Sequence, residues 1–200
     1  MVQPFNMVTL PMSMQFRMED KNLKLGQEDW LVAALNVLSE EGIEKVKVEP
    51  LAVYLGVTKG SFYWHFKNRE ALLTQMVDYW VAVQNEIIDR LGESALEPKQ
   101  RLWNLLQFVG RKDSQHDVAI RAWALNNSYA AKAVMRIDAR RLIFCEKLFE
   151  QMGFAGNECK LRARMVYFYQ VGEYTVINRD AVKLRLTLAE LRYNMLITQT

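Results

Sequence analysis

The sequence predicts an all-α fold, and three observations support this. From Gln27 onward, apolar residues recur at the i, i+3, i+4, i+7 spacing that places them on one face of a helix. No segment alternates apolar and polar residues as a half-buried strand does, and no long internal repeat occurs. Gly42, Gly56 and the glycine-containing segments GESALEP and QMGFAGN fall between the periodic segments, where helices end. We therefore expect about nine helices, arranged as a three-helix N-terminal domain and a C-terminal helical bundle.

The composition is that of a folded globular protein. Half of the 200 residues are hydrophobic and 24% are charged, which is enough to bury a core and excludes disorder of the whole chain. No apolar run approaches the roughly 20 residues that cross a bilayer, and the N-terminus lacks the pattern of a secretory signal, so we expect a cytoplasmic protein. Cys145 and Cys159 are too far apart for a CxxC pair, which favours reduced core thiols over a redox role.

Residues 1–24 differ in character from the rest of the chain. They include five methionines and two prolines and show no sustained period, so we expect a disordered extension. A basic arm is the alternative, but the cations there are nearly balanced by Glu19 and Asp20. The predicted domains are the extension at 1–24, a small helical domain at 25–72 and a larger helical domain at 73–200, and the residues discussed below indicate what the last two bind.

Two helices are predicted at the start of the N-terminal domain. A broad apolar stripe runs from Trp30 to Leu38, and Gly42 follows it with the conformational freedom that a helix C-terminus needs. A second helix of about two turns follows, in which Pro50 is tolerated because it lies in the first turn. Its apolar positions are Val48, Leu51, Ala52 and Leu55.

The next helix carries an unusual run of rings, in the segment GVTKGSFYWHFKNREALL. Gly56 can end the preceding helix with a positive φ, Val57 can point back into the core, and the Thr58 hydroxyl can cap the new helix. On a helical wheel Phe62 and Phe66 lie one turn apart and face inward. A short helix cannot bury all its faces in a three-helix domain, so the remaining arc is exposed. That arc contains Gly60, Ser61, Tyr63, Trp64 and His65.

Charge in the same region favours a polyanionic partner. The whole chain has a net charge of +3, and residues 43–69 alone hold an excess of the same size. A local surplus of cations beside aromatic residues is the electrostatic footprint of a nucleic-acid-binding surface. The cations are Lys45, Lys47, Lys59, Lys67 and Arg69, set against Glu44 and Glu49.

Two short helices joined by a glycine turn form a helix-turn-helix, whose second helix enters the major groove of DNA. Backbone amides at the helix start can bind phosphate, glycine permits close approach, and Lys59 and Ser61 can reach base edges. Rings with polar atoms can contact phosphate or sugar, and Asn68 is expected to cap a long fourth helix. The predicted DNA-binding residues are Lys47, Thr58, Lys59, Gly60, Ser61, Tyr63, Trp64, His65, Lys67 and Arg69.

The segment LAVYLGVTKGSFYWHFKNREALL closely resembles the DNA-binding signature of the TetR family of transcriptional regulators. The resemblance extends over about residues 27–80 and includes the turn glycine, the Lys-Gly pair, Phe-Tyr-x-His-Phe and Asn-Arg-Glu-Ala-Leu-Leu. One departure is Lys47, which stands where the family often has a capping threonine or serine. The resemblance implies a homodimeric repressor that binds a near-palindromic operator in double-stranded DNA and is released by a small-molecule effector.

The C-terminal half also predicts helices throughout. The fourth helix is expected at 69–91, followed by a break at GESALEP and a later connector at QMGFAGN. Further helices are predicted at 98–111, 117–126, 129–152, 157–177 and 181–197.

The last two helices are apolar on nearly every side. On the first of them, one face carries Leu161, Met165, Phe168, Gly172 and Val176. A helix that is hydrophobic all round must be buried all round, so we expect both helices to pack against their counterparts in a second subunit. The TetR family dimerises in a similar way.

An effector pocket is predicted in the C-terminal bundle from residues that combine large rings with hydrogen-bonding groups. Each of them is individually more typical of core or interface packing. The candidates are Trp103, Phe108, Trp123, Asn126, Tyr167, Gln170 and Tyr174.

No pattern in the sequence indicates catalysis. His65 and His116 are far apart and have no neighbouring metal-ligand motif, and no nucleotide-binding or nucleophile motif occurs. We expect no enzymatic activity, no metal and no cofactor. The alternative function is binding of a membrane surface or a protein by the basic aromatic helix, since lipid phosphates attract the same cations.

Overall fold

Nine α-helices and one 3₁₀ turn form the secondary structure of the residues that the computed structural model describes, namely 25–93, 95–111, 114–176 and 180–198. No strand occurs among these residues, so the predicted all-α fold is confirmed. In chain order the elements are α1 (Gln27–Glu41), the 3₁₀ turn (Ile43–Lys45), α2 (Val48–Tyr54), α3 (Lys59–Tyr63), α4 (Arg69–Gly92), α5 (Pro98–Arg111), α6 (Gln115–Ala124), α7 (Ser128–Gln151), α8 (Gly156–Thr175) and α9 (Val182–Ile197). The expectation of a disordered extension at 1–24 lies outside the described residues.

The glycine turns that separate the first helices adopt the predicted conformations. Gly42 has φ of 86° and Gly56 has φ of 67°, a region that other residues enter only with strain. After Gly56 the Val57 amide donates to the carbonyl oxygen of Ala52 over 2.9 Å, which closes the end of α2. The turn therefore redirects the chain within three residues and fixes the angle at which α3 leaves α2.

One predicted helix cap is correct and another is wrong. Asn68 Oδ1 accepts a hydrogen bond of 2.9 Å from the Ala71 amide and so caps α4 as expected. Thr58 occupies the N-cap position of α3 in an extended conformation, but its hydroxyl makes no capping hydrogen bond. The Ser61 amide, which a capping hydroxyl would bind, instead donates to the Thr58 carbonyl oxygen over 3.0 Å. Lys47, at the N-cap of α2, likewise provides no side-chain cap.

The chain forms two compact units. Among the described residues, the N-terminal unit contains 25–85 and 114–137, and its core is built around Trp30, Phe62 and Phe66. The Trp30 and Phe62 rings meet edge to face with 5.4 Å between their centroids, and the Phe62 and Phe66 centroids are 5.3 Å apart. Ile120 of α6 and Ile137 of α7 belong to the same core. These helices therefore pack with the N-terminal unit, although they follow the break at GESALEP.

The described part of the C-terminal unit contains 86–93, 95–111, 138–176 and 180–198. In this unit the side chain of Arg162 on α8 forms hydrogen bonds with the C-terminal end of α9. Its NH1 atom donates to the Leu196 carbonyl oxygen over 3.0 Å, and its NH2 atom donates to that of Thr198 over 2.9 Å. Because the last carbonyl groups of a helix lack partners within the helix, the guanidinium satisfies groups that burial would otherwise leave unpaired.

Both cysteines are free and buried in this unit. Burial raises the pKa of the Cys145 thiol to about 12, so the thiolate form is scarce at neutral pH. Burial also raises the pKa of Cys159. Among the described residues, no helix combines the length and the apolar character that a membrane span requires.

Candidate nucleic-acid interface

The rings of α3 and the turn after it divide between the core and the surface. Phe62 and Phe66 are buried, whereas Tyr63 is 56% exposed and Trp64 is 88% exposed. His65 is half-buried between them. The helix is five residues long, so side chains on its inner and outer faces follow one another directly in the sequence. The predicted division is therefore confirmed for Phe62, Phe66, Tyr63 and Trp64, whereas His65, expected in the exposed arc, is half-buried. Contact of these rings with a ligand stays a prediction.

Lys59, the first residue of α3, is exposed and forms an ion pair with Glu49 of α2. The hydrogen bond from Lys59 lowers the pKa of the Glu49 carboxyl, and the same bond raises the pKa of the Lys59 ammonium. Both groups are thus charged at neutral pH. An exposed ion pair is weak because water and salt screen it, so a stronger anion can displace the carboxylate from Lys59.

The backbone conformation and the surroundings of Gly60 in α3 do not require a glycine. Its φ is not in the left-handed region, and a Cβ placed there would meet only Thr58 Oγ1, at an ordinary contact distance of 3.6 Å. Glycine also weakens a helix interior relative to alanine. Internal packing therefore does not explain this residue, whereas close approach of an external backbone to α3 does.

Three further lysines extend the basic surface. Lys45, Lys47 and Lys67 are exposed, and none forms a salt bridge with another described residue. Ser61 is half-buried and Thr58 is exposed, so both have polar atoms at the surface of the same short helix. These cations and hydroxyl groups lie in the same part of the chain, residues 45–67, as the exposed rings of Tyr63 and Trp64. This combination suits phosphate and base contacts.

Arg69 is engaged inside the protein. Its Nε atom donates to the Val46 carbonyl oxygen over 2.6 Å, and its NH2 atom donates to that of Ile43 over 2.8 Å. These two acceptors lie at either end of the short connection between α1 and α2. The guanidinium therefore ties that connection to the first turn of α4, and this function accounts for the side chain without a DNA contact.

Sequence reasoning missed two residues near this surface. Val53 is 81% exposed and Tyr54 is 53% exposed, and both belong to α2 together with Glu49. Tyr54 also accepts a hydrogen bond from the Asn36 side chain over 3.4 Å. The signal was present in the periodicity, because positions 53 and 54 fall outside the apolar stripe of α2. An exposed valine and an exposed phenol beside a basic helix belong to the same candidate interface.

The residues predicted to line an effector pocket are divided between the two units. In the N-terminal unit, Trp123 packs against the core, and its carbonyl oxygen accepts from the amide of exposed Asn126 over 3.0 Å. In the C-terminal unit, Gln170 donates to the Tyr174 hydroxyl over 3.1 Å. Trp103 in the same unit stacks edge to face on Tyr193, and Phe108 is half-buried. The Tyr167 hydroxyl donates to Asp138 over 2.6 Å. The pocket stays a prediction.

Metal chemistry finds little support in the described ranges. They contain no group of three or more histidine, cysteine, aspartate or glutamate residues placed to hold a metal ion. His116 lies beside Asn36, with 2.9 Å between Nε2 and Oδ1, and belongs to no such group.

Residues 31–76 match the model of the bacterial regulatory proteins of the tetR family. Over this segment the chain is similar to the TetR family. The matched segment covers α1, α2, α3 and the first part of α4, and it includes the glycine turn and the exposed rings.

Individual relatives show the likeness over part of their length. The class D tetracycline repressor protein of Escherichia coli is 42% identical over 80 residues, which are 40% of this chain and 34% of the relative. The regulator AcrR of Shigella flexneri is 33% identical over 67 residues, 34% of this chain and 28% of the relative. The alignments thus span about a third of these relatives or less.

Solved structures share the fold over most of the chain. A transcriptional regulator from Rhodococcus sp. Rha1 has a TM-score of 0.66 and 16% identity, with 86% of this chain and 96% of that chain covered. The fatty acid degradation regulator FadR from Bacillus halodurans has a TM-score of 0.63 and 17% identity, with 88% and 97% covered. At such identity the likeness concerns the fold alone.

The engagement of Arg69 leads to a test by stability. Arg69→Ala removes two charge-assisted hydrogen bonds and leaves two carbonyl groups without their donor. We expect the free energy of unfolding to fall by about 1.5–3 kcal/mol. Urea unfolding followed by circular dichroism measures this. Lys67→Ala, two residues earlier and exposed, is the matched control and should change stability by less than about 0.5 kcal/mol. Equal stability of the two variants would contradict the structural role of Arg69.

Proposed function

We propose that this protein is a transcriptional regulator that binds double-stranded DNA through α2, α3 and the residues that follow α3. The observation that carries the proposal is the exposure of Tyr63 and Trp64 on a five-residue helix whose Gly60 has no packing role. A nearby surplus of lysines supplies the charge that phosphate requires. The match of residues 31–76 to the model of the tetR-family regulatory proteins supports the same interpretation.

Each predicted contact has a physical basis in the geometry of the interface. Lys59 and Ser61 at the start of α3 are placed for base edges, because the N-terminal residues of a recognition helix reach deepest into the major groove. Tyr63, His65 and Lys67 are assigned to phosphate oxygens, Trp64 to a thymine methyl or a sugar, and Thr58 and Lys47 to the backbone of the DNA. Arg69 acts by fixing α4 to the α1–α2 connection, and not as a free phosphate ligand.

A homodimer is part of this proposal, and the surfaces of α8 and α9 support it. The face of α8 singled out in the sequence is exposed along its whole length, with Leu161 at 59% and Phe168 at 56%. A second stripe on α9 has Leu191 at 58% and Met195 at 68% exposed, with Leu184 further along the helix. Exposed apolar stripes of this extent on neighbouring helices are typical of protein interfaces. A second copy of the chain would cover both stripes.

Two-fold symmetry gives the dimer a function in DNA recognition. Two copies of α3 would read a near-palindromic operator with half-sites about 34–36 Å apart or a multiple of that distance. Repression with release by a small molecule is the proposed mode of control. The tetracycline repressors among the relatives support repression, but the alignments cover only 28% and 34% of two of them and give no reason to propose tetracycline as the effector.

The alternative of a membrane or protein surface is less well supported. A helix that lies on a membrane is usually long and continuous, whereas α2 and α3 are seven and five residues long and are separated by a glycine turn. Two short helices joined by a turn fit the groove of DNA better than the flat surface of a membrane. An enzymatic function has no support from the residues that the structure describes, and the family is one of regulators.

Binding to DNA and its dependence on salt test the function directly. Fluorescence anisotropy with DNA from upstream of the protein's own gene should show tighter binding than random DNA of equal length. Lys67→Ala should weaken both by a similar factor and reduce the slope of log K against log salt by about one. Lys59→Ala or Ser61→Ala should cost about 1–3 kcal/mol on the preferred sequence only. Equal affinity for both DNAs, together with binding to anionic lipid vesicles, would favour the membrane alternative.

A substitution at Gly60 distinguishes a DNA-binding role of this residue from a structural role. Gly60→Ala should leave the protein as stable as before or stabilise it by up to about 1 kcal/mol, because alanine favours the helix and the space for its methyl group is open. The same methyl group should obstruct the approach of DNA and weaken binding about tenfold or more, as a close contact is lost. Thermal unfolding and anisotropy measure the two effects on one sample. Unchanged DNA affinity would show that α3 does not face the DNA closely at this position.

The dimer is tested by a charge on the exposed stripe of α9. Leu191→Glu should dissociate the dimer, because an interface cannot bury an unpaired carboxylate without a large cost. Gel filtration with light scattering gives the mass of wild type and variant. Met135→Glu on α7, where the side chain is 70% exposed, is the matched control and should remain dimeric. A monomeric wild type at micromolar concentration would overturn the proposed interface.

A further inference from the structure

Two arginines on α9 are turned toward α8 inside the C-terminal unit. They stand seven residues apart, about two helical turns, so they share one face of α9. Arg185 is 7% exposed, and its Nε atom lies 3.8 Å from Glu173 Oε1. The guanidinium carbon of Arg192 lies 3.7 Å from the centre of the Tyr169 ring. We call Glu173, Arg185, Arg192 and Tyr169 the arginine cluster.

The hydrogen-bonding capacity of the arginine cluster is largely unused. The Nε and NH1 atoms of Arg185 and of Arg192 are shielded from solvent and have no acceptor among the described residues. Glu173 Oε1 also has no donor, since 3.8 Å is too long for a hydrogen bond. Buried polar atoms in native proteins are nearly always satisfied by protein, water or a bound group. Four unsatisfied guanidinium nitrogens in one cluster are therefore unusual.

Charge in the cluster is unbalanced as well. Two guanidinium groups face a single carboxylate, and a buried charge without a counter-ion is strongly unfavourable. Burial lowers the pKa of Arg192, although Tyr169 and Glu173 act in the opposite direction. The Tyr169 ring interacts with the face of the Arg192 guanidinium, whose Nε and NH1 atoms have no acceptor among the described residues. A ligand that accepts several hydrogen bonds and carries negative charge would occupy the unused donors and balance the excess positive charge.

We propose that the arginine cluster binds the carboxylate or phosphate group of a small molecule. The planar fork of donors on arginine matches the paired oxygens of these anions and gives them directional recognition. The hydroxyl of Tyr174, which accepts from Gln170 over 3.1 Å, lies next to Glu173 in the sequence and adds a neutral polar group to the same end of α8. As a statement about regulation this inference rests on the proposed function, and it identifies the effector class as an organic or inorganic anion.

Isothermal titration of the full-length protein without DNA tests the site with three probes. Hexanoate carries a carboxylate on an apolar tail, hexanamide has the same shape without charge, and inorganic phosphate supplies the anion alone. We expect wild type to bind at least one of the two anions and not hexanamide. Binding of hexanoate alone identifies an organic carboxylate, and binding of phosphate alone identifies a free or esterified phosphate. Absence of binding by both anions, or equal binding of hexanamide, would overturn the proposal.

Three variants locate the binding in the arginine cluster. Arg192→Gln should weaken the anion about tenfold or more, because a charge-assisted hydrogen bond is lost. Glu173→Gln should tighten it about tenfold, because a carboxylate that repels the ligand is removed. Lys183→Gln removes an exposed cation of the same helix and should leave the affinity unchanged. Melting temperatures are measured for each protein, and Arg192→Lys replaces Arg192→Gln if the latter does not fold.

Opposite effects of the two substitutions within the cluster are not expected from a purely structural ion pair, whose loss would destabilise the protein in both cases. Equal affinities of wild type, Arg192→Gln and Glu173→Gln would overturn the site. A similar loss in Lys183→Gln would show general attraction to positive charge and would also overturn it. Because these titrations contain no DNA, a failure of DNA binding would refute the proposed function and leave the result on the anion site intact.

Discussion

The burial of Phe62 is the constraint on which the candidate interface depends. Its ring is fully buried and meets Trp30 edge to face, so the inward face of α3 is fixed by one well-packed contact. The helix is only five residues long, and neighbouring side chains point about 100° apart around it. Once Phe62 is inside, Tyr63 has to lie at the surface. The exposure of the rings is thus a consequence of core packing and requires no separate stabilisation.

Local features around α3 hold this arrangement in place. The positive φ of Gly56 sets the turn between α2 and α3, and Arg69 joins the α1–α2 connection to the start of α4 through two short hydrogen bonds. Neither feature contributes a large hydrophobic area. Their effect is to reduce the number of orientations available to three short helices, which have little intrinsic stability of their own. A rigid platform of this kind loses less conformational entropy when it binds a partner.

Much of the fold could be predicted from the sequence, because helical periodicity and glycine turns are local signals. The bounds of α1 and α5 follow from the apolar pattern and from Pro98, and the buried faces of Phe62 and Phe66 follow from their spacing. The engagement of Arg69 could not be predicted, since its acceptors are carbonyl groups 23 and 26 residues earlier in the chain. The missing side-chain cap at Thr58 could not be predicted either. The Ser61 amide can donate to the hydroxyl or to the carbonyl oxygen of Thr58, and the geometry of the first turn of α3 decides between them.

Solvent exposure decides what each cation of this protein can do. Lys59 is paired with Glu49 at the surface, where screening makes the exchange of one anion for another inexpensive, so the pair suits reversible contact with phosphate. Arg162 lies in the interior, and its NH1 and NH2 atoms donate to helix carbonyls and Glu158 while Nε has no acceptor, which gives it a structural role. Arg185 is equally buried but lacks such acceptors among the residues described. The Arg185 guanidinium is therefore neither exposed to water like the Lys59 ammonium nor hydrogen-bonded to helix carbonyls like Arg162. This contrast is the physical reason to assign a ligand to Arg185.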